Sequence, residues 1–100
     1  MAPTSDEERV LRALLINFEK HRLPRVLYLK EKVDNGELLS DWEVAFLEKA
    51  IDEATGARAS VDRHPGFQAV YAHAARRYDE ITVQALRNEQ RRHRDTSEQS

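Results

Sequence analysis

Residues 67–86, FQAVYAHAARRYDEITVQAL, carry the pattern from which the architecture follows. Apolar residues recur there at alternating spacings of three and four, as they do along the seam of a coiled coil. The spacing predicts one long helix that begins near Phe67, runs to about His93 and is the longest element of the chain. Val70 and Leu86 flank this seam. The seam itself consists of Tyr71, Ala74, Tyr78, Ile81 and Ala85.

Two helices are predicted upstream, separated at a proline. Ser5 and Glu8 have the spacing of a capping box, so helix 1 is expected to begin there and to end near His21 or Arg22. Pro24 suits the first turn of a second helix, where its missing N–H has no helical partner to lose. The apolar faces of the two helices comprise Val10, Leu11, Leu14, Leu15 and Phe18 in the first and Val26, Leu29 and Val33 in the second.

The third helix has a marked start and a glycine near its expected end. Asn35 and Gly36 tolerate the left-handed conformation that closes a helix, so the second helix is expected to stop there. Ser40 with Glu43 forms a second capping box, which predicts the start of helix 3. Its apolar arc is wide, which indicates contact with more than one neighbour. Gly56 is expected to end it, and residues 56–65 are compatible with either loop or helix.

These patterns predict an all-α fold with one domain over residues 1–94. We expect a small antiparallel bundle of four helices, with three as the alternative, and a long C-terminal helix. Asp62 is expected to cap that last helix, with Pro65 in its first turn. Polar residues dominate after Leu86, so the end of the helix is expected to project beyond the bundle. Residues 95–100 are polar and are expected to form a disordered tail.

The composition excludes several classes of protein. The chain has 100 residues, a net charge of −2 and no cysteine, which excludes disulfides, thiolate zinc sites and cysteine nucleophiles. The first eight residues lack a basic stretch followed by an apolar one, so no signal peptide is expected. Apolar runs such as Ala13 to Ile16 are only four residues long, far short of a membrane span. We therefore expect a cytoplasmic protein that does not enter the membrane.

Motifs for cofactor chemistry are lacking in the sequence. Gly36, Gly56 and Gly66 are isolated, so the chain has no glycine-rich phosphate loop. The Glu-x-x-His pairs of di-iron bundles and the His-Glu-x-x-His zinc motif are also missing. We therefore expect no cofactor, no metal site and no catalytic residues.

The leading hypothesis is a non-enzymatic helical module for protein–protein interaction, with self-association as one form of it. If the first and third helices cover one side of the long helix, part of its seam stays free, and a free apolar stripe implies a partner. A second copy of the chain is the simplest such partner. The expected contact residues are Val70, Tyr71, Tyr78, Ile81 and Ala85, with Arg76, Arg77, Arg87 and Arg91 at the rim.

Two alternatives use the charged residues of the C-terminal half, where eight arginines over residues 58–94 face four acids. A small-ligand or anion-binding site could form at the start of the last helix from Arg63, His64, His73 and Arg76, because helix N-termini attract anions. Nucleic-acid contact through the arginines of residues 87–94 is the weaker alternative, since cations also suit a helix C-terminus.

Overall fold

The computed structural model describes the backbone of residues 6–98 and the side chains of residues 6–94. All of its regular structure is helical, which confirms the all-α prediction for the described part of the chain. The elements in chain order are α1 (Asp6–Asn17), a π-helical segment (Phe18–Arg22), α2 (Leu23–Asp34), α3 (Asp41–Asp62), a short 3₁₀ turn (Pro65–Phe67) and α4 (Gln68–Glu98).

No break separates the first two predicted helices. The expected end near His21 or Arg22 is instead a π-helical turn, in which the Leu23 N–H donates to the Phe18 carbonyl five residues earlier. Pro24 explains the wider turn, because its ring conflicts with the regular hydrogen bonding of the turn that precedes it. The chain therefore forms one continuous helix from α1 through α2. The fold has three long helices rather than four, which is the alternative allowed from the sequence.

The third helix begins as predicted and ends later than predicted. The Ser40 hydroxyl accepts from the Glu43 N–H at 3.2 Å, and the Glu43 carboxylate accepts from the Ser40 N–H at 2.8 Å, which confirms the capping box. Gly56 does not end the helix, because α3 continues to Asp62. Burial of Val61 in the last turn offsets the low helix propensity of one exposed glycine. Asp62 is thus the last residue of α3 and not the cap of α4.

The connection between α2 and α3 is closed by a glycine and tied to α4. Gly36 has a φ of 86°, and its N–H donates to the Val33 carbonyl while the Glu37 N–H donates to Lys32. This is a Schellman motif, and it confirms the predicted stop at this position. The Asn88 amide donates to the carbonyls of Val33 and Glu37 at 2.8 and 3.1 Å. The loop is therefore hydrogen-bonded to a buried side chain of α4.

Long-range contacts define the topology. Arg22 pairs with Glu53 and Lys32 with Glu43, so α3 runs antiparallel to α2. The Phe18 ring lies against Tyr78, and the Val33 carbonyl accepts from Asn88, so α4 runs parallel to α2. Consecutive long helices are antiparallel, as the short connections predict. The buried core where α2, α3 and α4 meet comprises Val26, Leu29, Val33, Leu47, Ala50, Tyr78 and Ile81.

The molecule is elongated because the last helix outruns its neighbours. Its extents are 69 × 21 × 18 Å and its radius of gyration is 16.9 Å, against about 13 Å for a compact domain of this length. Asn88 lies beside the last turn of α2, while His93 and Arg94 are exposed. The helix continues to Glu98, so most of the segment predicted as a tail has helical backbone. Residues 99–100 and Ser5, the predicted cap of the first helix, lie outside the described residues.

Candidate interaction surface

A cluster of aromatic side chains and an arginine lies on the outer groove between α2 and α3. Trp42 is 65% exposed and Tyr28 is 58% exposed. The guanidinium carbon of Arg25 is 4.8 Å from the centroid of the Trp42 ring and 5.5 Å from that of Phe46. We call this surface the Trp42 face and define it as Arg25, Tyr28, Trp42 and Phe46. These residues form a cation–π arrangement at the surface of the protein.

Helical spacing brings these residues together. Trp42 and Phe46 are four residues apart on α3, so their side chains lie one above the other on the same face. Arg25 and Tyr28 are three residues apart on α2 and line the facing side of the groove. Leu29, at the bottom of the groove, is buried in the core. The groove encloses about 180 Å³, so the aromatic rings surround a recess rather than a flat surface.

Glu43 lines the groove and forms an ion pair with Lys32. The Lys32 ammonium lies 2.7 Å from the Glu43 carboxylate, and the Glu43 side chain is 12% exposed. Burial tends to raise the pKa of Glu43, but hydrogen bonds from Lys32 and Ser40 outweigh it and lower the pKa below its ordinary value. The hydrogen bond to Glu43 raises the pKa of Lys32. Both groups are therefore charged at neutral pH, and they hold the start of α3 against the end of α2.

The seam predicted as a contact face of α4 is turned mostly inward. Tyr78 and Ile81 are 5% and 0% exposed and belong to the core that α4 forms with α2 and α3. Tyr71 and Ala85 are half-buried, and Val70 is 38% exposed. A second molecule cannot reach Tyr78 or Ile81 in the folded chain. The predicted rim residues Arg76, Arg77, Arg87 and Arg91 are exposed.

The polar cluster at the start of α4 does not form one site. The Arg63 guanidinium donates through Nε and Nη2 to the two oxygens of Glu7, each at 2.9 Å. Nδ1 of His64 lies 2.9 Å from the Ser60 carbonyl. The hydrogen bond from Arg63 lowers the pKa of Glu7, which keeps this carboxylate charged. An anion would have to displace Glu7 from Arg63. The other two expected ligands, His73 and Arg76, are exposed farther along α4.

The C-terminal arginines lie at the end of α4. Arg91 donates to the Asn88 side chain at 2.9 Å and lies beside Gly36. Arg87 and Arg94 are exposed. One of these arginines therefore takes part in the contact between α4 and the loop after α2, which is a structural role that the sequence did not reveal.

The sequence does not single out the Trp42 face, because large aromatic residues at helical spacing are more often part of the core. Phe46 does pack against the core, whereas Trp42, four residues earlier, is displaced around the helix toward solvent. The available indication was the width of the apolar arc of the third helix, which is broader than one buried face needs. Nothing in the sequence pattern pairs Arg25 with Trp42, because that contact depends on how α2 and α3 are juxtaposed.

Comparison with known proteins gives no functional lead. No protein-family model, no curated protein and no solved structure matches this chain. Over the described part of the chain, no helix is long and apolar enough to cross a membrane. Within the same residues, histidines and acidic side chains form no group of three or more that could hold a metal ion.

Proposed function

We propose that this protein is a non-enzymatic helical interaction module that associates through the Trp42 face. The observation that carries the proposal is the exposure of two large aromatic side chains in one groove, Trp42 at 65% and Tyr28 at 58%. Trp, Tyr and Arg are the residue types most enriched among the energetically dominant positions of protein interfaces. The Trp42 face contains all three within one recess.

Burial of these rings would supply a driving force for association. A tryptophan side chain has roughly 200 Å² of surface, so covering the exposed part of Trp42 gains on the order of 3 kcal/mol. Tyr28 adds a comparable apolar area with a polar tip that remains free to hydrogen-bond. Arg25 keeps its charge while its planar group stacks on Trp42, so a partner need not desolvate an isolated cation.

The groove is ordered before any partner binds. Phe46 packs against the core, Arg25 is stacked on two rings, and Glu43 is hydrogen-bonded to both Lys32 and Ser40. Side chains that are already held in place lose little conformational entropy on association. This favours a binding surface over an accidental exposure of one tryptophan.

The partner in this proposal is a second copy of the chain. Most soluble homo-oligomers are two-fold dimers in which the same patch contacts itself, and such a patch must be self-complementary. The Trp42 face and its borders carry both signs of charge, with Arg25 on α2 and Asp41 on α3, while Lys32 and Glu43 neutralise each other within the chain. A two-fold arrangement that brings Arg25 of one copy to Asp41 of the other is therefore self-complementary.

Light scattering over a concentration series, in low and in high salt, tests this proposal. We expect a dimer that survives high salt, because apolar burial is screened much less than surface ion pairs. Trp42 is the single tryptophan of the chain, so its fluorescence should shift to shorter wavelength as the dimer forms. A monomer at every concentration, with unchanged fluorescence, would contradict the proposal.

A matched pair of variants locates the contact. Trp42→Ala is expected to give a monomer with an unchanged helical circular-dichroism spectrum, because the side chain is largely outside the core. Leu86→Ala removes a 53% exposed apolar side chain from α4 and is expected to leave the dimer intact. Loss of the dimer in Leu86→Ala with its retention in Trp42→Ala would place the interface elsewhere.

A further inference from the structure

The first helix is packed against the rest of the bundle less completely than the helices that follow it. Leu11 is the one buried residue of α1, whereas Val10, Leu14 and Ile16 are 58%, 44% and 46% exposed. Beneath α1, a half-open apolar recess of about 110 Å³ separates it from parts of α3 and α4. Elements with few buried apolar contacts are the ones that open locally at low free energy.

The π-helical segment after α1 is anchored firmly. The Phe18 ring packs edge-on against Tyr78, with the ring centroids 6.4 Å apart. Arg22 donates to the Glu53 carboxylate at 2.6 Å. This segment is therefore fixed on α3 and α4, whereas α1 before it can separate from them without disturbing these contacts.

Glu7 ties the other end of α1 to the end of α3. Both of its carboxylate oxygens accept from the Arg63 guanidinium at 2.9 Å, and Nδ1 of His64 lies 3.4 Å from one of them. The contact with Arg63 is bidentate, which is a strong geometry for a guanidinium and a carboxylate. Glu7 lies one turn before Leu11, at the end of α1 that is far from Phe18. The helix is thus held by the core at one end and by this ion pair at the other.

The charge of Glu7 determines whether this ion pair forms. The hydrogen bond from Arg63 lowers the pKa of Glu7 below its ordinary value of 4.5, so Glu7 binds a proton more readily when α1 is open. The ion pair therefore holds α1 closed above pH 4.5, and its contribution is lost as the pH falls through the lower pKa of the closed state. Protonation of Glu7 also leaves Arg63 and a protonated His64 side by side as two positive groups.

The other ionisable groups at this contact favour the neutral form of Glu7, because they are acidic. They are Asp62, which precedes Arg63, and the neighbours of Glu7 on α1, Asp6 and Glu8. The last helix begins there with Gln68, which is uncharged and donates to the Asp62 carbonyl. Arg63 and His64 are thus the cations that hold Glu7 in its charged form.

We propose that α1 is a lid that opens as a unit when Glu7 is protonated and uncovers the apolar recess between α3 and α4. The hinge is the start of the π-helical segment at Phe18. Opening exposes the side of α3 that carries Ala54 and Ala57, which line the recess. The other three helices stay packed, because the buried core consists of residues from α2, α3 and α4. This motion does not depend on self-association through the Trp42 face.

Thiol labelling measures the opening directly, because the chain has no cysteine of its own. Ala57→Cys places a thiol in the recess under α1, and Ala59→Cys places one at an exposed position of the same helix. At neutral pH, Glu7→Gln is expected to raise the labelling rate at position 57 roughly fivefold and to leave that at position 59 unchanged. Asp6→Asn removes a charge from the same turn of α1 and should change neither rate. An unchanged rate at position 57 with Glu7→Gln, or an equal rise with Asp6→Asn, would overturn the proposal.

Amide hydrogen exchange of the chain without added cysteines, followed by NMR in low concentrations of urea, tests whether α1 opens separately. The amides of Leu11 to Ile16 should be less protected than that of Ile81 and should depend less on urea, because opening the lid exposes less surface than global unfolding. The difference in α1 protection between the wild type and Glu7→Gln should disappear as the pH falls below 4.5. Equal protection and equal urea dependence in α1 and at Ile81, or a difference that does not change with pH, would contradict the proposal.

A double-mutant cycle ties the opening to the ion pair. Arg63→Gln is expected to lower the protection of α1 as much as Glu7→Gln does, and the double variant should show no further loss, because both substitutions remove the same contact. Losses that simply add would mean that Glu7 and Arg63 act independently, and the ion pair would not be what holds the lid.

Discussion

Asn88 shows how one buried polar side chain fixes the relation between α4 and the loop after α2. It is 2% exposed, donates to two backbone carbonyls, and accepts from Gln84 and Arg91. All of its hydrogen-bonding groups therefore have partners, as burial requires. The sequence alone did not single it out, because Asn88 follows the seam in a stretch where polar residues dominate.

Asn88→Ala is expected to lower the free energy of unfolding by roughly 2 kcal/mol, because the Val33 and Glu37 carbonyls lose a donor in a buried setting. Urea unfolding followed by circular dichroism measures the change, with the slope expected to stay constant. Gln90→Ala, at an exposed position of the same helix, is the matched control and should leave stability nearly unchanged. Equal losses in the two variants would show that the amide contacts do not matter.

Glu43 gives stability a defined dependence on pH. Its pKa is lower in the folded chain than the ordinary value of 4.5, so it binds a proton more readily when unfolded. Glu43 therefore adds to the free energy of unfolding at neutral pH. This stabilisation is lost as the pH falls below the ordinary value of 4.5 and through the lower pKa of the folded state. Glu43→Gln is expected to cost about 1 kcal/mol at pH 7, because it weakens the cap and removes the ion pair with Lys32.

Unfolding measured at a series of pH values tests this expectation. The difference in free energy of unfolding between the wild type and Glu43→Gln should shrink as the pH is lowered into the acid range. Glu48→Gln, at an exposed position of the same helix, serves as the control and should show only a small difference throughout. If the difference in free energy of unfolding between the wild type and Glu43→Gln stayed constant down to the lowest pH, the Lys32–Glu43 ion pair would not be the source of the stabilisation.

The helix boundaries that depend on local hydrogen bonding could be predicted from the sequence. The Ser40–Glu43 capping box and the stop at Asn35 and Gly36 involve residues within a few positions of each other, so the sequence contains all of the interaction. The π-helical turn before Pro24 and the continuation of α3 through Gly56 depend on packing of flanking residues against other helices. Local propensity does not contain that information.

Substitution by alanine is expected to change the free energy of unfolding in opposite directions at two of the glycines. Gly56→Ala lies inside α3, where an added Cβ has no neighbour within 4 Å, and should stabilise the chain by roughly 0.5–1 kcal/mol. Gly36→Ala should destabilise it by about 1–2 kcal/mol, because φ is +86° and the Cβ would lie 3.3 Å from an Arg91 nitrogen. Thermal or urea unfolding distinguishes the two. Stabilisation by Gly36→Ala would be incompatible with the left-handed turn.

For the whole molecule, the fold class and the long last helix were predictable, and the surface was not. The seam of α4 was recognised correctly as an apolar stripe, but the sequence could not tell that α2 and α3 cover it. Three long helices are enough to cover the seam of α4, because α1, the π-helical segment and α2 form one continuous element. The candidate site lies on the opposite side of α2 and α3 from that core. The wide apolar arc of the third helix indicates a second apolar surface, but it does not tell which aromatic residue is exposed there.

Protection from hydrogen exchange is expected to fall along α4. Amides near Ile81, which is fully buried, should exchange only on global unfolding, whereas those of residues 93–98 should exchange by local fraying. The physical reason is that the exposed His93 and Arg94 lie beyond the end of α2. Exchange measured by NMR or mass spectrometry checks this gradient. Uniform protection over the whole of α4 would mean that its end is covered.

The π-helical turn also means that the chain contains one residue more between α1 and α2 than a regular helix would use. We therefore consider a variant that lacks the exposed Glu19 and also carries Pro24→Ala, so that no proline interrupts a regular helix. In this variant the buried faces of α1 and α2 should keep their present orientation relative to each other. Deleting the exposed Arg12 from α1 should instead rotate the residues before it by about 100° and turn Leu11 away from α3. The protein is thus expected to tolerate a one-residue deletion in the turn and to be destabilised by one in the preceding helix.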